Sequence, residues 1–179
     1  VQKGELPLSD IIKWQYQEKL ITPDQAAKLV KSGDRIFYSE FAMFPEALDE
    51  ALAKRVDELY DVRIRSVSYT KLPKVVQVDP TREHFWLEDW HMSKVGRILH
   101  DQDMCNYIPI TYHQGPRIVK KHEDVDIAFI QVGKPDARGF FNLGPSNSVT
   151  PAYMSKAKTI VVEVNENVPH CLGGNGESI

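Results

Sequence analysis

A loop dense in small polar residues is the part of this 179-residue sequence best suited to chemistry. It runs GKPDARGFFNLGPSNSV and contains Gly144, Ser146, Asn147 and Ser148, just before a helix that we expect Thr150 to cap. Serine hydroxyls, the asparagine amide and the N–H groups at a helix start can all donate hydrogen bonds. Such donors suit a carboxylate, a thioester carbonyl or a phosphate, so the pattern predicts a hydrogen-bonding site.

Other motifs give weaker indications. GGNG, near the end, is followed by no Gly-Lys-Ser/Thr and lies in no strand–helix context, so it predicts no nucleotide site. Six histidines are scattered, and the two cysteines, Cys105 and Cys171, form no C-x-x-C pair. We therefore expect no metal site, and two reduced thiols in a cytoplasmic protein. HFWLEDWH concentrates aromatic and acidic residues, and we interpret it as an aromatic anchor in a surface hairpin or subunit contact rather than as a catalytic segment.

The composition of the chain limits the kinds of binding partner that we expect. The chain is 42% hydrophobic and 26% charged, which is ordinary for one globular domain. A net charge of -3 gives no electrostatic reason to expect nucleic acid or an anionic membrane as a partner. The longest apolar runs, such as TIVVEV, are far shorter than the ~20 residues of a membrane span. We expect neither a nucleic-acid nor a membrane partner.

Helices and strands alternate along the chain. Ser9 is a plausible cap for a first helix, and Thr22, Pro23 and Gln25 form the capping box of a second. RIFYS, VRIRSVSYT, VDIAFIQVG and KTIVVEVN predict strands, and the last two are near-continuous apolar runs typical of central parallel strands. The middle of the chain predicts a short helix near 93–99, two short strands and much loop. The whole pattern predicts an α/β fold, a mostly parallel sheet with helices on both faces.

The ends of the strands predict where a ligand would bind. Parallel strands joined by right-handed crossovers all end at one edge of the sheet. Ligands of open α/β sheets bind in the crevice outside those carboxyl ends. Three loops should converge there: EFAMFPE, GKPDARGFFNLGPSNSV and NENVPHCLGGNG. The second is long for a strand-to-helix connection, as functional loops usually are.

Two long segments resemble the N-terminal half of the acetyl-CoA hydrolase/transferase family, most closely its 4-hydroxybutyrate or butyrate:acetate CoA-transferase branch. EKLITPDQAAKLVKSGDRIFYSEFAMFPEALDEALAKR is similar to the family's T-x-x-x-A helix, G-D strand and following Pro-initiated helix. VDIAFIQVGKPDARGFFNLGPSNSVTPAYMSKAKTIVVEVNENVPH is similar to its Gly-aromatic pair, L-G-x-S loop and E-V-N strand. The likeness covers nearly the whole chain, although residues 70–120 contribute little. Gly144-Pro145-Ser146 stands where many relatives have no proline.

This resemblance implies a CoA-transferase-like N-terminal α/β domain over residues 1–172, with 173–179 as the start of a linker to a C-terminal half absent from this chain. It implies transfer of CoA between an acyl-CoA and a small carboxylate of the acetate, butyrate or 4-hydroxybutyrate type, through a glutamyl-CoA intermediate. The nucleophilic glutamate would lie in the C-terminal half, so no catalytic residue is expected in this chain. Coenzyme A would be a substrate, no cofactor would be tightly bound, and the enzyme would be a homo-oligomer.

For this chain, the resemblance and the crevice argument agree on one wall of the acyl and pantetheine pocket. The expected residues are Met43, Phe44 and Pro45 on the apolar side and Gly144, Ser146, Asn147 and Ser148 on the polar side. Met43 and Phe44 could equally be plain core residues.

Three other functions stay open at this point. One is an acyl-CoA hydrolase of the same family, if water reaches the anhydride. Another is a different enzyme on α/β layers, such as a sugar-phosphate isomerase-like hydrolase or a deaminase. The third is a non-catalytic α/β binding module.

Overall fold

A computed structural model describes residues 9–172 and 177–178 of the protein and contains a six-stranded parallel sheet. The strands of this sheet are β1 Arg35–Tyr38, β2 Val62–Ser66, β3 Phe85–Asp89, β4 Cys105–Tyr107, β5 Ile127–Val132 and β7 Thr159–Val164. Their spatial order is β4-β3-β2-β1-β5-β7. Two further strands, β6 Phe140–Phe141 and β8 Glu177–Ser178, pair antiparallel in a separate ribbon. Apart from β8, the expected linker 173–179 lies outside the described residues.

Seven α-helices lie within the described residues: α1 Asp10–Lys19, α2 Pro23–Ala27, α3 Glu46–Ala53, α4 Lys74–Val78, α5 Lys94–Asp101, α6 Gly115–His122 and α7 Thr150–Met154. Ser9 caps α1, and Thr22 with Gln25 makes the predicted capping box of α2. The prediction that Thr150 caps α7 was wrong. Val149 precedes α7 instead, and the Thr150 hydroxyl finds no hydrogen-bond partner among the described residues.

Apolar side chains cover the sheet on both faces, as the sequence predicted. Ile36 and Tyr38 of β1 point into a core shared with α2, α3, α4 and α5. Phe37, between them, points into a second core shared with α6 and α7, where its ring stacks on Tyr153 with centroids 3.8 Å apart. Because side chains alternate along a strand, a continuous apolar run buries both faces at once.

The segment HFWLEDWH does not form the expected surface hairpin, and a subunit contact there stays a prediction. It contains β3, which pairs in parallel with β2 on one side and β4 on the other. Phe85 and Leu87 are buried in the first core. Its acidic residues suggested a surface segment, but Glu88 is buried in an ion pair with Arg65 of β2.

Arg65 provides a test of this buried ion pair. Its guanidinium contacts both Glu88 of β3 and Glu123 after α6, and all three side chains are mostly buried. Arg65→Met should lower the free energy of unfolding by about 3–5 kcal/mol, because two carboxylates then lose their buried cation. Urea unfolding measures the loss. Arg63→Met is the matched control on the same strand, since its pair with Asp61 is about half exposed and worth under about 1 kcal/mol. Equal losses in the two variants would contradict the assignment.

Candidate functional site

The order of the strands creates a crevice between the carboxyl ends of β1 and β5. From β1 the chain moves outward through β2 and β3 to β4, and then returns to β5 on the other side of β1. The connections after β1 and β5 therefore cross opposite faces, with α3 on one and α7 on the other. Open α/β sheets bind ligands at such a switch point. The geometry places a candidate site at the edge that the sequence predicted.

Gly144 is the point where the three predicted loops meet. Its φ of +65° lies in the left-handed region, which favours glycine. A methyl group at Gly144 would lie only 2.6 Å from Sδ of Met43, in the loop after β1, and 2.8 Å from Cγ1 of Val168, in the loop after β7. A residue without a side chain at position 144 therefore lets the Met43 and Val168 side chains pack against this loop.

The loop after β1 is pinned to β5 by polar side chains. Ser39 Oγ accepts a hydrogen bond from the Gln131 amide at 2.9 Å and donates one to the Met43 carbonyl. The Gln131 side chain donates to the Phe44 carbonyl and to Glu163 of β7, each at 3.0 Å. The backbone of this loop is therefore held at both ends by residues of the neighbouring strands.

The three apolar residues predicted for the site lie at the base of the crevice. Met43, Phe44 and Pro45 are all buried. Phe44 belongs to the first core, where its ring meets Tyr38 edge to face at 5.7 Å. Met43 contacts the predicted polar side through Gly144. A binding role for these three residues stays a prediction.

The predicted polar residues form what we call the site loop, residues 144–149. It begins as the 3-10 turn Gly144–Ser146. Ser146 and Asn147 are half-buried, and Ser148 is exposed. The Ser148 hydroxyl forms a hydrogen bond with the Tyr112 hydroxyl. The buried Oδ1 of Asn147 has no hydrogen-bond partner among the described residues. The site loop thus combines hydroxyl and amide groups that are not all used in holding its own shape.

Glu40 is a residue of this region that the sequence reasoning missed. It lies two residues past the end of β1, is fully buried, and accepts a hydrogen bond from the Val149 amide at 3.2 Å. Burial raises the pKa of Glu40 to about 7, while the Ser148 hydroxyl and the Val149 amide oppose the rise. The only sequence signal was its position, one residue past the end of the predicted strand RIFYS. Gln131 and Glu163, polar residues inside apolar strands, gave the same kind of signal.

An apolar groove of about 690 Å³ lies beside the crevice, along β7. Leu143, next to Gly144, forms part of its wall, together with Leu20 and Leu29 from the α1–α2 region. Within the described residues, no three His, Cys, Asp or Glu side chains cluster as metal ligands, and no helix is long and apolar enough to cross a membrane.

Comparison with known proteins gives consistent matches. The family model described as acetyl-CoA hydrolase/transferase N-terminal domain matches residues 9–179. Butyryl-CoA:acetate CoA-transferase of Anaerostipes caccae is 42% identical over 168 residues, which are 93% of this chain and 38% of that protein. A probable butyrate:acetyl-CoA coenzyme A-transferase of Syntrophomonas wolfei is 39% identical, with coverages of 92% and 37%. The crystal structure of RipA from Yersinia pestis superposes with a TM-score of 0.79 at 26% identity, over 92% of this chain and 40% of RipA. The chain thus spans less than half the length of these proteins.

Substitution of Phe44 tests whether its ring is a core residue or a pocket residue. Its burial and its contact with Tyr38 predict that Phe44→Ala lowers the free energy of unfolding by about 3–5 kcal/mol. Thermal or urea unfolding of the full-length protein gives this value, and kinetics per folded molecule show any binding role. A raised KM for acyl-CoA per folded molecule would show that the ring also borders the pocket, whereas unchanged kinetics would remove Phe44 from the site.

Proposed function

Because the chain belongs to the acetyl-CoA hydrolase/transferase family, we propose that it forms one wall of the acyl-thioester site of a CoA-transferase. The enzyme would move CoA between an acyl-CoA and a small carboxylate of the acetate, butyrate or 4-hydroxybutyrate type. The observation that carries the proposal is the meeting of three loops at Gly144, at the switch point of the sheet. The names of its relatives, which are CoA-transferases, support the same reaction class.

The proposed reaction proceeds by covalent transfer through a glutamate outside residues 9–172. Its carboxylate attacks the thioester carbonyl, a C–O bond forms, the C–S bond breaks, and CoA leaves as a thiolate. The thiolate then attacks the glutamyl carbonyl of the mixed anhydride, so that the first carboxylate is released and glutamyl-CoA remains. A second carboxylate reverses these two steps and leaves as the new acyl-CoA.

The site loop would supply hydrogen bonds to this reaction. A carboxylate is a weak nucleophile in water, so oriented donors must stabilise the negative charge that develops on the thioester oxygen. Ser146 and Asn147 have short side chains that can donate without filling the space a thioester needs, and Gly144 and Ser148 border them. Met43, Phe44 and Pro45 would form the apolar floor beneath the thioester and the start of the pantetheine arm.

The remaining parts of the proposal concern the whole protein. Coenzyme A would act as a substrate, with no tightly bound cofactor, and the catalytic glutamate would lie in the C-terminal part that the longer relatives possess. We also propose that the full-length enzyme is a homo-oligomer in the cytoplasm.

Trapping the covalent intermediate tests the proposed function. The full-length protein is incubated with butyryl-CoA, reduced with borohydride and digested, and its peptides are weighed by mass spectrometry. We expect one modified glutamate outside residues 9–172, together with ping-pong kinetics for acetate and butyryl-CoA. A modified residue inside the described domain, or a ternary-complex mechanism with no trapped adduct, would contradict the proposal.

The site loop has its own kinetic test. Asn147→Ala or Ser146→Ala should lower kcat/KM about 10-fold or more with every acyl donor, since one lost transition-state hydrogen bond is worth ~1.4 kcal/mol. Ser32→Ala is the control. Ser32 precedes β1, and its hydroxyl accepts a hydrogen bond from the backbone amide of Tyr60, which precedes β2, so this contact lies at the opposite edge of the sheet. An effect confined to one acyl chain would mean that the loop contacts the substrate tail. Unchanged kinetics in both variants, with folding intact, would remove the loop from the site.

A further inference from the structure

We propose that Glu40 is a positioning residue whose buried carboxylate holds the site loop in its binding conformation, an inference that rests on the proposed function. Glu40 does not reach the crevice itself, since it is fully buried. It acts on the loop through the Val149 amide, which donates to Glu40 Oε1. The role is therefore to place Ser146 and Asn147, and not to contact substrate.

Both ends of this contact are fixed. On one side, the Glu40 carbonyl accepts from the Met43 amide at 3.0 Å, which closes the 3-10 turn after β1. On the other side, a methyl group at Gly115 would lie 2.8 Å from the Trp90 ring and 3.1 Å from Cγ1 of Val149, so Val149 lies close to Trp90 over the first turn of α6. The carboxylate therefore links the 3-10 turn after β1 to the end of the site loop.

The site loop needs such a restraint because its backbone is strained. Ser148 has a φ of +45°, in the left-handed region that costs energy for any residue other than glycine. Strained residues persist only where their surroundings fix them. The next amide along the chain is the one that donates to Glu40, and a hydrogen bond to a charged acceptor is stronger than one to a neutral acceptor.

The carboxylate is only partly satisfied by its surroundings. Glu40 Oε2 has no hydrogen-bond partner among the described residues, and neither do the nearby Trp90 Nε1 and Tyr153 hydroxyl. The groups that interact with it electrostatically are Asp89 at the end of β3, Ser148 of the site loop and Tyr153 of α7. The Ser148 hydroxyl and the Val149 amide favour the ionised form of Glu40, against its burial and the charge of Asp89.

The direction of the pH effect follows from this burial. Burial raises the pKa of Glu40 to about 7, so between its ordinary value of 4.5 and 7 the folded protein binds more protons than the unfolded chain. Raising the pH through that window therefore lowers stability, while it strengthens the restraint on the loop. If Glu40 served only stability, stability and the restraint on the loop would change in the same direction with pH. Here, raising the pH lowers the stability and strengthens the restraint.

Glu40→Gln and Glu40→Ala in the full-length protein test the inference. The wild-type kcat/KM should rise about 10-fold between pH 6 and 8 with a midpoint near 7, because the ionised acceptor binds the Val149 amide more strongly. Glu40→Gln should match the wild type at pH 6, stay flat to pH 8, and melt at a higher temperature than the wild type at pH 8. Glu40→Ala should be slower at every pH.

Two other buried acids serve as controls. Asp49→Asn removes a carboxyl whose pKa burial raises to about 6, but Asp49 accepts hydrogen bonds from the Tyr38 hydroxyl and the Lys74 amide, neither of which belongs to the site loop. It should leave the pH profile unchanged. Asp89→Asn removes a carboxyl whose pKa burial raises to about 7 and whose charge raises the pKa of Glu40. It should keep the rise in kcat/KM and move its midpoint to lower pH.

Hydrogen exchange separates this inference from the proposed function. Peptides covering residues 144–153 should exchange faster in Glu40→Ala than in the wild type at pH 8, whatever reaction the protein catalyses. Faster exchange without CoA transfer would support the role of Glu40 and overturn only the proposed function. Unchanged exchange in Glu40→Ala, or a pH profile that Glu40→Gln leaves intact, would overturn the role of Glu40.

Discussion

The parallel pairing of β1 with β5 is the constraint on which the site depends. Ile36 pairs with Ile127 and Tyr38 with Phe129, so β1 ends beside the middle of β5, which continues to Val132. The chain adds strands outward from this pair in both directions, so α3 and α7 lie on opposite faces of the sheet. The loops that precede these two helices therefore separate at the carboxyl edge. The loop after β7 then returns over the same gap. Gly144 is needed because all three loops pass one point.

Polar side chains inside the strands turn this gap into a rigid site. Ser39, Gln131 and Glu163 would each be costly to bury alone, at about 1–3 kcal/mol for every unmade hydrogen bond. Here they bond to one another and to the backbone, and Glu163 also accepts from the Leu48 amide in the first turn of α3. The loop after β1 is therefore ordered without any ligand. A ligand that binds there meets a surface whose conformational entropy is already lost, which favours affinity.

The sequence predicted the parts of the structure that depend on local patterns. Capping residues such as Thr22 located the helices, apolar runs located β5 and β7, and the strand ends indicated the edge where the loops meet. The prediction that β7 is a central strand was wrong, because β7 lies at the edge of the six-stranded sheet and is only partly buried. It failed where a tertiary contact reverses a local preference. Glu88 looked like a surface residue because its cation, Arg65, is 23 positions away. Thr150 looked like a cap, but Val149 occupies that position and donates its amide to Glu40.

Three buried acids show where stability and function separate. Burial raises the pKa values of Asp49, Glu40 and Asp89 to about 6, 7 and 7. Both oxygens of Asp49 accept hydrogen bonds, one of them from the amide that opens α4, so its burial is compensated and its role is structural. Glu40 and Asp89 each keep one oxygen without a partner among the described residues. Folded proteins leave few such groups, and they concentrate where local stability is given up for a site. Both lie at the carboxyl edge of the sheet, and Glu40 is the one bonded to the site loop.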